Sequence, residues 1–325
     1  MTIGLADIET AAARLSGHAV RTPVLESREL NALAGGRVLI KPECLQRTGS
    51  FKFRGAWNVI SQLEPARHPG GVVAYSSGNH AQGVAAAARA MGLPALIVMP
   101  ADTPMIKQEN TRGHGAEIVL YDRKGEDREA IARHHVAERG AVLVPPFDHP
   151  AIIAGQGTIG LELSEQAAAA RCGLDAVLVC CGGGGLVAGI ATALAALSPG
   201  TRVHPVEPAG FDDHARSLRS GRRERNAADA RSICDALLSP QPGELTFAIN
   251  QRLLSEGLVV DDREVGAAMR FAFEVLKLVV EPGGAVALAA VLAGKLPTRG
   301  RTIGIVISGG NTDASLFARA LQGEI

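Results

Sequence analysis

One lysine in this chain has the setting of a nucleophile. Lys52 lies in Gln46-Arg-Thr-Gly-Ser-Phe-Lys-Phe-Arg-Gly-Ala56, a Gly/Ser/Thr-rich turn where a helix should begin. A lysine amine condenses with aldehydes, and apolar or cationic neighbours lower its pKa toward reactivity. Phe51, Phe53 and Arg54 are such neighbours. A lone lysine ahead of a helix is ordinarily a solvated charge, so the weight falls on what accompanies it. Gly182, Gly183, Gly184 and Gly185 follow a β-branched run and precede an apolar, Ala-rich one. Backbone N–H groups in such a loop can converge on an anion at a helix N-terminus. No lysine follows in Walker fashion, which excludes a P-loop. Gly183-x-Gly185-x-x-Ala188, with Glu207 roughly 20 residues on, also fits a dinucleotide fingerprint, and a plain tight turn stays open. Ser76-Ser-Gly-Asn-His80 offers hydroxyls and N–H groups to a carboxylate, or an ordinary N-cap. Finally, the run 303–307 ends at Ser308, a neutral hydroxyl able to meet a ring nitrogen, or simply at a turn.

These segments need a frame that brings them together. Short β-branched runs at 72–75, 95–99, 117–121, 141–144, 176–181, 203–207 and 303–308 alternate with helix-like stretches at 83–91, 128–139, 186–197 and 265–278. That alternation predicts an α/β chain of βαβ units with mostly parallel sheets covered on both faces. Ligands of such sheets bind beyond the carboxyl ends of strands. The loops at 76–80 and 182–185 both fall there. Pro145-Pro146 and His149-Pro150 read as a stiff crossover and hinge, and 216–231 as a solvated, charged excursion. With 325 residues, two domains or one large α/β unit are expected. Hydrophobic residues make up 46% and aromatics only 3%, so the core must be Ala, Val, Leu and Ile. The balanced formal charge excludes nucleic-acid binding driven by overall charge. An odd set of cysteines, Cys44, Cys172, Cys180, Cys181 and Cys234, argues for a reducing compartment. Without CxxC or HxxxH spacing, zinc is not expected. No leader-like N-terminus and no apolar run of roughly 18 residues is present, so a cytoplasmic protein without membrane contact is expected.

An aldehyde-binding lysine, an anion cradle, a donor such as Asn79 for a phenolic oxygen and a partner for a ring nitrogen together match pyridoxal 5'-phosphate. The ordered motifs TGSFKxRGA, SSGNHxQG, IAGQGT, CGGGGLxAG, EPxxxDD, EPGGA and SGGN cover nearly the whole chain. In them the chain resembles the fold type II pyridoxal-phosphate enzymes of the threonine/serine dehydratase and serine racemase group. The resemblance implies a tryptophan synthase β-like fold of two three-layer α/β domains. A large cofactor-binding domain would span 1–70 and 147–325, with a small mobile substrate domain over 71–146, in a homodimer.

The resemblance also implies roles. Lys52 would hold the cofactor aldehyde and later remove the Cα proton, with Phe51 beside it. Gly182, Gly183, Gly184, Gly185 and Leu186 would hold the phosphate, Ser308 the pyridine nitrogen, and Glu281 would lie near the cofactor. Ser77, Gly78, Asn79 and His80 would grip the substrate carboxylate, with Asn79 also toward O3′. Ser77 would be the opposite-face base of a racemase, and Arg128 a substrate-binding cation. In Glu207-Pro-Ala-Gly-Phe-Asp-Asp213, the Glu207 and Asp213 carboxylates and the Phe211 carbonyl would bind a cation. Such an oxygen set suits Mg²⁺, Ca²⁺ or Mn²⁺ and not Zn²⁺. Serine at the ring nitrogen makes the ring a weaker electron sink than a carboxylate would, which favours β-elimination.

The expected activity is therefore elimination of water from L-threonine or L-serine, giving a 2-oxo acid and ammonia. A 3-hydroxyaspartate dehydratase, with Arg47 or Arg128 taking the distal carboxylate, is an alternative. So are a serine racemase and a catalytically silent protein that binds the cofactor or an amino acid. Phe147, Ala236 and Pro240 depart from the racemase pattern and weigh against that activity.

Overall fold

Continuous Val/Ile/Leu/Ala runs without polar alternation are buried on both faces when they lie in a parallel sheet. A computed structural model describes residues 3–325 apart from Ser77, Pro104 and Lys124. Its strands are β1 (Arg37–Pro42), β2 (Val72–Tyr75), β3 (Ala95–Pro100), β4 (Glu117–Tyr121), β5 (Val142–Leu143), β6 (Ala176–Cys180), β7 (Arg202–Pro208), β8 (Leu258–Val260) and β9 (Thr302–Ile307). They form a five-stranded sheet ordered β1-β9-β6-β7-β8 and a four-stranded sheet ordered β4-β3-β2-β5. All strand pairs are parallel. Val177, Leu178 and Val179 at the centre of the first sheet are fully buried, as are Val73 and Ile97 in the second.

Strand order explains where the loops meet. β6 pairs with β9 on one side and β7 on the other, and β2 pairs with β3 and β5. Connections that leave such a central strand in opposite directions open a crevice at its carboxyl end. The glycine loop follows β6, Ser308 follows β9, and the 76–80 loop follows β2.

The longest helix, Pro150–Ala169, lies where a stiff crossover was expected. Pro150 begins it, in the first turn, where a missing N–H costs nothing, and the His149 side chain accepts from Ala151 N. The helix is apolar on nearly every side, so it carries no periodic stripe to read. Its glycines serve close packing. A Cβ on Gly155 would fall 2.7 Å from Gly55 Cα, and one on Gly157 or Gly160 would fall 2.9 Å from the carbonyl oxygen of Gly189 or Ile190. The IAGQGT motif thus packs two helices backbone to backbone: Lys52–Ile60, which carries the lysine, and Gly185–Leu197, which carries the glycine loop.

Other expectations are adjusted. β1 and β8 were not anticipated, and the stretch 265–278 is an Asp262–Phe271 α-helix followed by a π-helical Ala272–Leu276. The excursion 216–231 is only partly solvated. Ser217 is buried, and Asn226 donates to Asp213 Oδ1 (2.6 Å) and to the Ser239 carbonyl (2.8 Å), so its polar groups are satisfied inward. Among the described residues, no helix is long and apolar enough to cross a membrane.

Candidate active site

Lys52 is positioned by a strained turn clipped to the end of β9. Thr48 (φ 60°) and Gly49 (φ 70°) adopt left-handed backbone, which for threonine is sterically unfavourable. Phe51 N–H donates to the Ser308 carbonyl (3.1 Å), and Gly310 N–H to the Gly49 carbonyl (2.9 Å). These bonds bring Lys52 and Ser308 together across most of the sequence. The Lys52 ammonium donates to the Pro146 carbonyl (2.7 Å) and lies 5.2 Å from the Phe51 ring centroid. Burial lowers its pKa to about 8, partly offset by Cys180 and Glu281. Arg54, expected to depress this pKa, plays no such part: its guanidinium is directed to Glu43 and Glu162.

The cavity around Lys52 is lined by Phe51, Ser76, Gly78, Asn79, His80, the four glycines, Leu186, Glu281 and Ser308. Gly184 takes φ 93°, and a Cβ there would fall 2.5 Å from His214 Nε2. A Cβ on Gly183 would fall 2.4 Å from the Phe147 ring. Only glycine fits these positions. The loop is held from behind: Thr246 Oγ1 donates to the Gly183 carbonyl (2.7 Å), and Asp148 caps the Glu244–Leu253 helix that carries Thr246. The first N–H groups of the Gly185–Leu197 helix have no intrahelical acceptor, which leaves them for an anion.

On the facing wall, Asn79 begins the Asn79–Ala90 helix. Its amide donates to Glu281 Oε1 (2.5 Å) and accepts from Asn311 Nδ2 (2.8 Å). Glu281 stands at the N-cap of Pro282–Leu292, yet its side chain caps nothing there and turns to Asn79 instead. Burial, then Asp235, raise its pKa to about 8. His80 is buried with Nε2 2.9 Å from the Val144 carbonyl, and burial and the Lys52 charge push its pKa down to about 3. A carbonyl can only accept, so Nε2 carries the proton of a neutral ring. Ser77, expected among these residues, lies outside the described residues.

Arg128 also lines the cavity, its guanidinium 5.2 Å from the Tyr75 ring centroid. Arg47, the other cation considered, does not line it and stacks on Phe53 instead. A cation that the sequence did not single out, Lys107, takes its place: it is buried, lines the cavity and pairs with Asp235. Nothing in the pattern of the Met105–Gly113 helix marks Lys107, since only the tertiary fold brings that helix over the cleft.

Behind the glycine loop lies the group around Glu207. Both Glu207 oxygens accept backbone N–H bonds, from His214 and Ala215 (2.8 Å each). Asp213 Oδ2 and His214 Nδ1 are 3.7 Å apart, and Nδ1 is 3.8 Å from Glu207 Oε1. Burial, then Asp213, push the Glu207 pKa well up. Phe211 sits in the turn between the two carboxylates, its N–H donating to the Pro208 carbonyl (3.0 Å). Two donors join that sequence spacing did not suggest. Ligand atoms of Cys181, Glu207 and His214 lie within 4.8 Å of one another. In the sequence Cys181 reads only as the end of a strand.

Comparison with known proteins finds a family and relatives that span nearly the whole chain. The family described as Pyridoxal-phosphate dependent enzyme matches residues 15–309. An L-threo-3-hydroxyaspartate ammonia-lyase of Pseudomonas sp is 46% identical over 317 residues, covering 98% of each chain. A threonine deaminase structure from T.th. superposes with a TM-score of 0.89 at 47% identity, covering 95% of this chain and 99% of that one. A maize serine racemase structure superposes with a TM-score of 0.92 at 37% identity, covering 100% and 98%.

Proposed function

The chain belongs to the pyridoxal-phosphate dependent enzymes, and from that premise we propose that it is an ammonia-lyase acting on a β-hydroxy amino acid with a second carboxylate, 3-hydroxyaspartate. The observation that carries the substrate is the pair of cations, Lys107 and Arg128, in the same cavity as Lys52. The 46% identity to an L-threo-3-hydroxyaspartate ammonia-lyase supports the same choice.

The cavity fits the cofactor on its own terms. It offers an amine with a lowered pKa, a loop whose Gly183 and Gly184 have no room for a Cβ, and a neutral hydroxyl at Ser308. Lys52 would hold the aldehyde, Gly182, Gly183, Gly184, Gly185 and Leu186 the phosphate, Ser308 the ring nitrogen, and Asn79 the phenolic oxygen, with Phe51 and Glu281 beside them. When bound, pyridoxal phosphate supplies the electron sink that makes a Cα proton removable and a β-substituent able to leave. Lys52 Nζ takes that proton, because its lowered pKa leaves an appreciable neutral fraction near neutral pH. The helix N-terminus at Gly78, Asn79 and His80 holds the α-carboxylate. Lys107 and Arg128 hold the distal one, orienting the β-hydroxyl for departure. The 71–146 unit, which carries Asn79, Lys107 and Arg128, acts as a mobile domain that closes on substrate and excludes water. A homodimer and a divalent cation at Glu207, Phe211 and Asp213 complete the reading.

A second reading, elimination from L-threonine or L-serine, has its own support. Asp235 already pairs with Lys107, and Phe147 and Leu237 give the cavity apolar wall. Product-detected steady-state assays with the 3-hydroxyaspartate isomers, L-threonine and L-serine separate the two. The dicarboxylate should lead in kcat/KM by about 10–100-fold, the worth of one charge-assisted pair. A preference for threonine or serine rejects the dicarboxylate reading, and inactivity on all of them rejects the lyase.

A further inference from the structure

The cluster behind the glycine loop has hydrogen-bonding capacity that nothing in the protein satisfies. Buried polar atoms nearly always find partners, yet Asp213 Oδ2, His214 Nδ1 and Asn250 Oδ1 have none. Asp213, His214 and Asn250 are all fully buried, as is Glu207. Among the described residues, no lysine or arginine pairs with either carboxylate. Two carboxylates held in a low-dielectric interior without a cation are strongly unfavourable.

We propose that Cys181 Sγ, His214 Nδ1, Glu207 and Asp213 Oδ2 bind a divalent cation of borderline softness, of the Zn²⁺, Fe²⁺ or Co²⁺ class, and not an alkaline-earth ion. The cation belongs to the reading above, but its ligand set does not follow from that reading. An oxygen-only site was the expectation, whereas the fold adds an imidazole and a thiol, donors that select transition ions over Mg²⁺ or Ca²⁺. Ligand atoms sharing one ion through bonds of about 2.0–2.3 Å lie up to about 4.6 Å apart, so the 4.8 Å limit on Cys181, Glu207 and His214 closes with small shifts, and Asp213 Oδ2 lies 3.7 Å from His214 Nδ1.

Asn250 can accommodate the histidine tautomer that the assignment needs. Its Nδ2 lies 3.2 Å from His214 Nε2 and 3.4 Å from the Gly184 carbonyl, while its Oδ1 is orphaned. With the amide turned end for end, Oδ1 accepts the Nε2 proton. That tautomer frees the Nδ1 lone pair for the ion, the usual arrangement of a ligating histidine. The ion gives partners to Asp213 Oδ2 and His214 Nδ1, while the amide turn gives Oδ1 the Nε2 proton in exchange for the 3.4 Å Nδ2 bond to the Gly184 carbonyl. Because His214 and Asn250 both abut Gly184, the ion buttresses the anion cradle from behind.

The test reads the metal and not turnover, so it stands apart from the choice of substrate. Pyridoxal-phosphate-loaded protein, stripped with a chelator, is titrated with Co²⁺ and followed by absorbance and by elemental analysis. One equivalent should bind with a sulfur-to-cobalt charge-transfer band in the near ultraviolet. Cys181→Ser should remove that band while the cofactor absorbance persists. Cobalt binding without the band in the wild type, a band that survives Cys181→Ser, or no binding at all overturns the assignment. If Cys181→Ser does not fold, the presence or absence of the wild-type band decides.

Discussion

Lys41 and Lys52 are close in sequence, both are packed inside the protein, and their surroundings are opposite. Lys41 is fully buried, and each of its three N–H groups has an acceptor: the Thr22 carbonyl (2.6 Å), Glu162 Oε2 (2.6 Å) and Gln166 Oε1 (2.9 Å). Beside it, Arg54 bonds Glu43 (2.7 and 2.8 Å), Glu162 (2.7 and 3.0 Å), Thr158 (3.1 Å) and the Val20 carbonyl (3.2 Å). Two cations face two carboxylates, with no donor idle. Lys52 has a single carbonyl and faces a cavity. Burial lowers the pKa of both lysines, at Lys41 against the opposing pull of Glu162 and Glu43, so what separates them is that every Lys41 donor is taken and the residue serves as scaffold. An under-coordinated lysine can trade its proton and its partner.

Exchanging the two lysines' fates would break that contrast. Lys52→Ala should cut turnover by about 10³-fold or more, within the range lost with a positioned acid–base group, while the urea midpoint moves little. Lys41→Met leaves Glu162 with Arg54 alone and should cost about 3 kcal/mol of stability, with kcat at permissive temperature little changed. Substantial turnover in the first variant, or an unperturbed urea midpoint in the second, shows that donor saturation does not sort these residues.

The contrast sharpens at Lys107, which is partnered by a single carboxylate, Asp235, and still faces the cavity. Lys107→Met should raise the KM for 3-hydroxyaspartate by about 10–100-fold, as expected for a lost charge-assisted contact. Its effect on serine should be under about threefold. Equal effects on both substrates would place Lys107 with the scaffold.

Reaction with an aldehyde distinguishes the cavity-facing lysine from the enclosed one. In cofactor-free protein, reductive alkylation with a small aldehyde should label Lys52, half-maximally near pH about 8. The sign follows from the nucleophile being the neutral amine: a pKa lowered by burial raises its fraction at a given pH, so labelling climbs through that pH and levels off above it. Lys41 should stay unlabelled throughout. Peptide mass spectrometry reads both, and a Lys52 profile that rises only near an ordinary lysine pKa would mean its amine is solvated.

The sequence was most readable where a loop's backbone geometry dictates its residue types. The glycines of the cradle and the turn before Lys52 lie in short stretches whose composition is forced by left-handed φ or close approach. The pairs that tune the site were not readable. Asn79 with Glu281, Lys107 with Asp235, and Cys181 with His214 meet only after the parallel strands have been ordered. The Pro150–Ala169 helix was hidden for a different reason. Burial on almost all sides erases helical periodicity, and its glycines mimic a loop. Arg54 is the instructive misreading, because two residues from Lys52 it turns into the scaffold.

Asn311 lies between the two kinds of residue and should show the smallest effect. Its Nδ2 donates to Asn79 Oδ1 and to the Thr48 carbonyl, 2.8 Å each. The first bond fixes which end of the Asn79 amide donates, and the second holds the left-handed turn that presents Lys52. Asn311→Ala removes both bonds, each worth about 0.5–1.5 kcal/mol net. If that loss falls only on the folded state, stability drops by about 1–3 kcal/mol and kcat/KM holds, which groups Asn311 with Lys41. If it falls on the orientation of Asn79 and Lys52, kcat drops about 3–10-fold with KM little changed. The second outcome is expected, because the freed Asn79 amide can rotate and the Thr48 turn, strained at φ 60°, loses the bond that holds it.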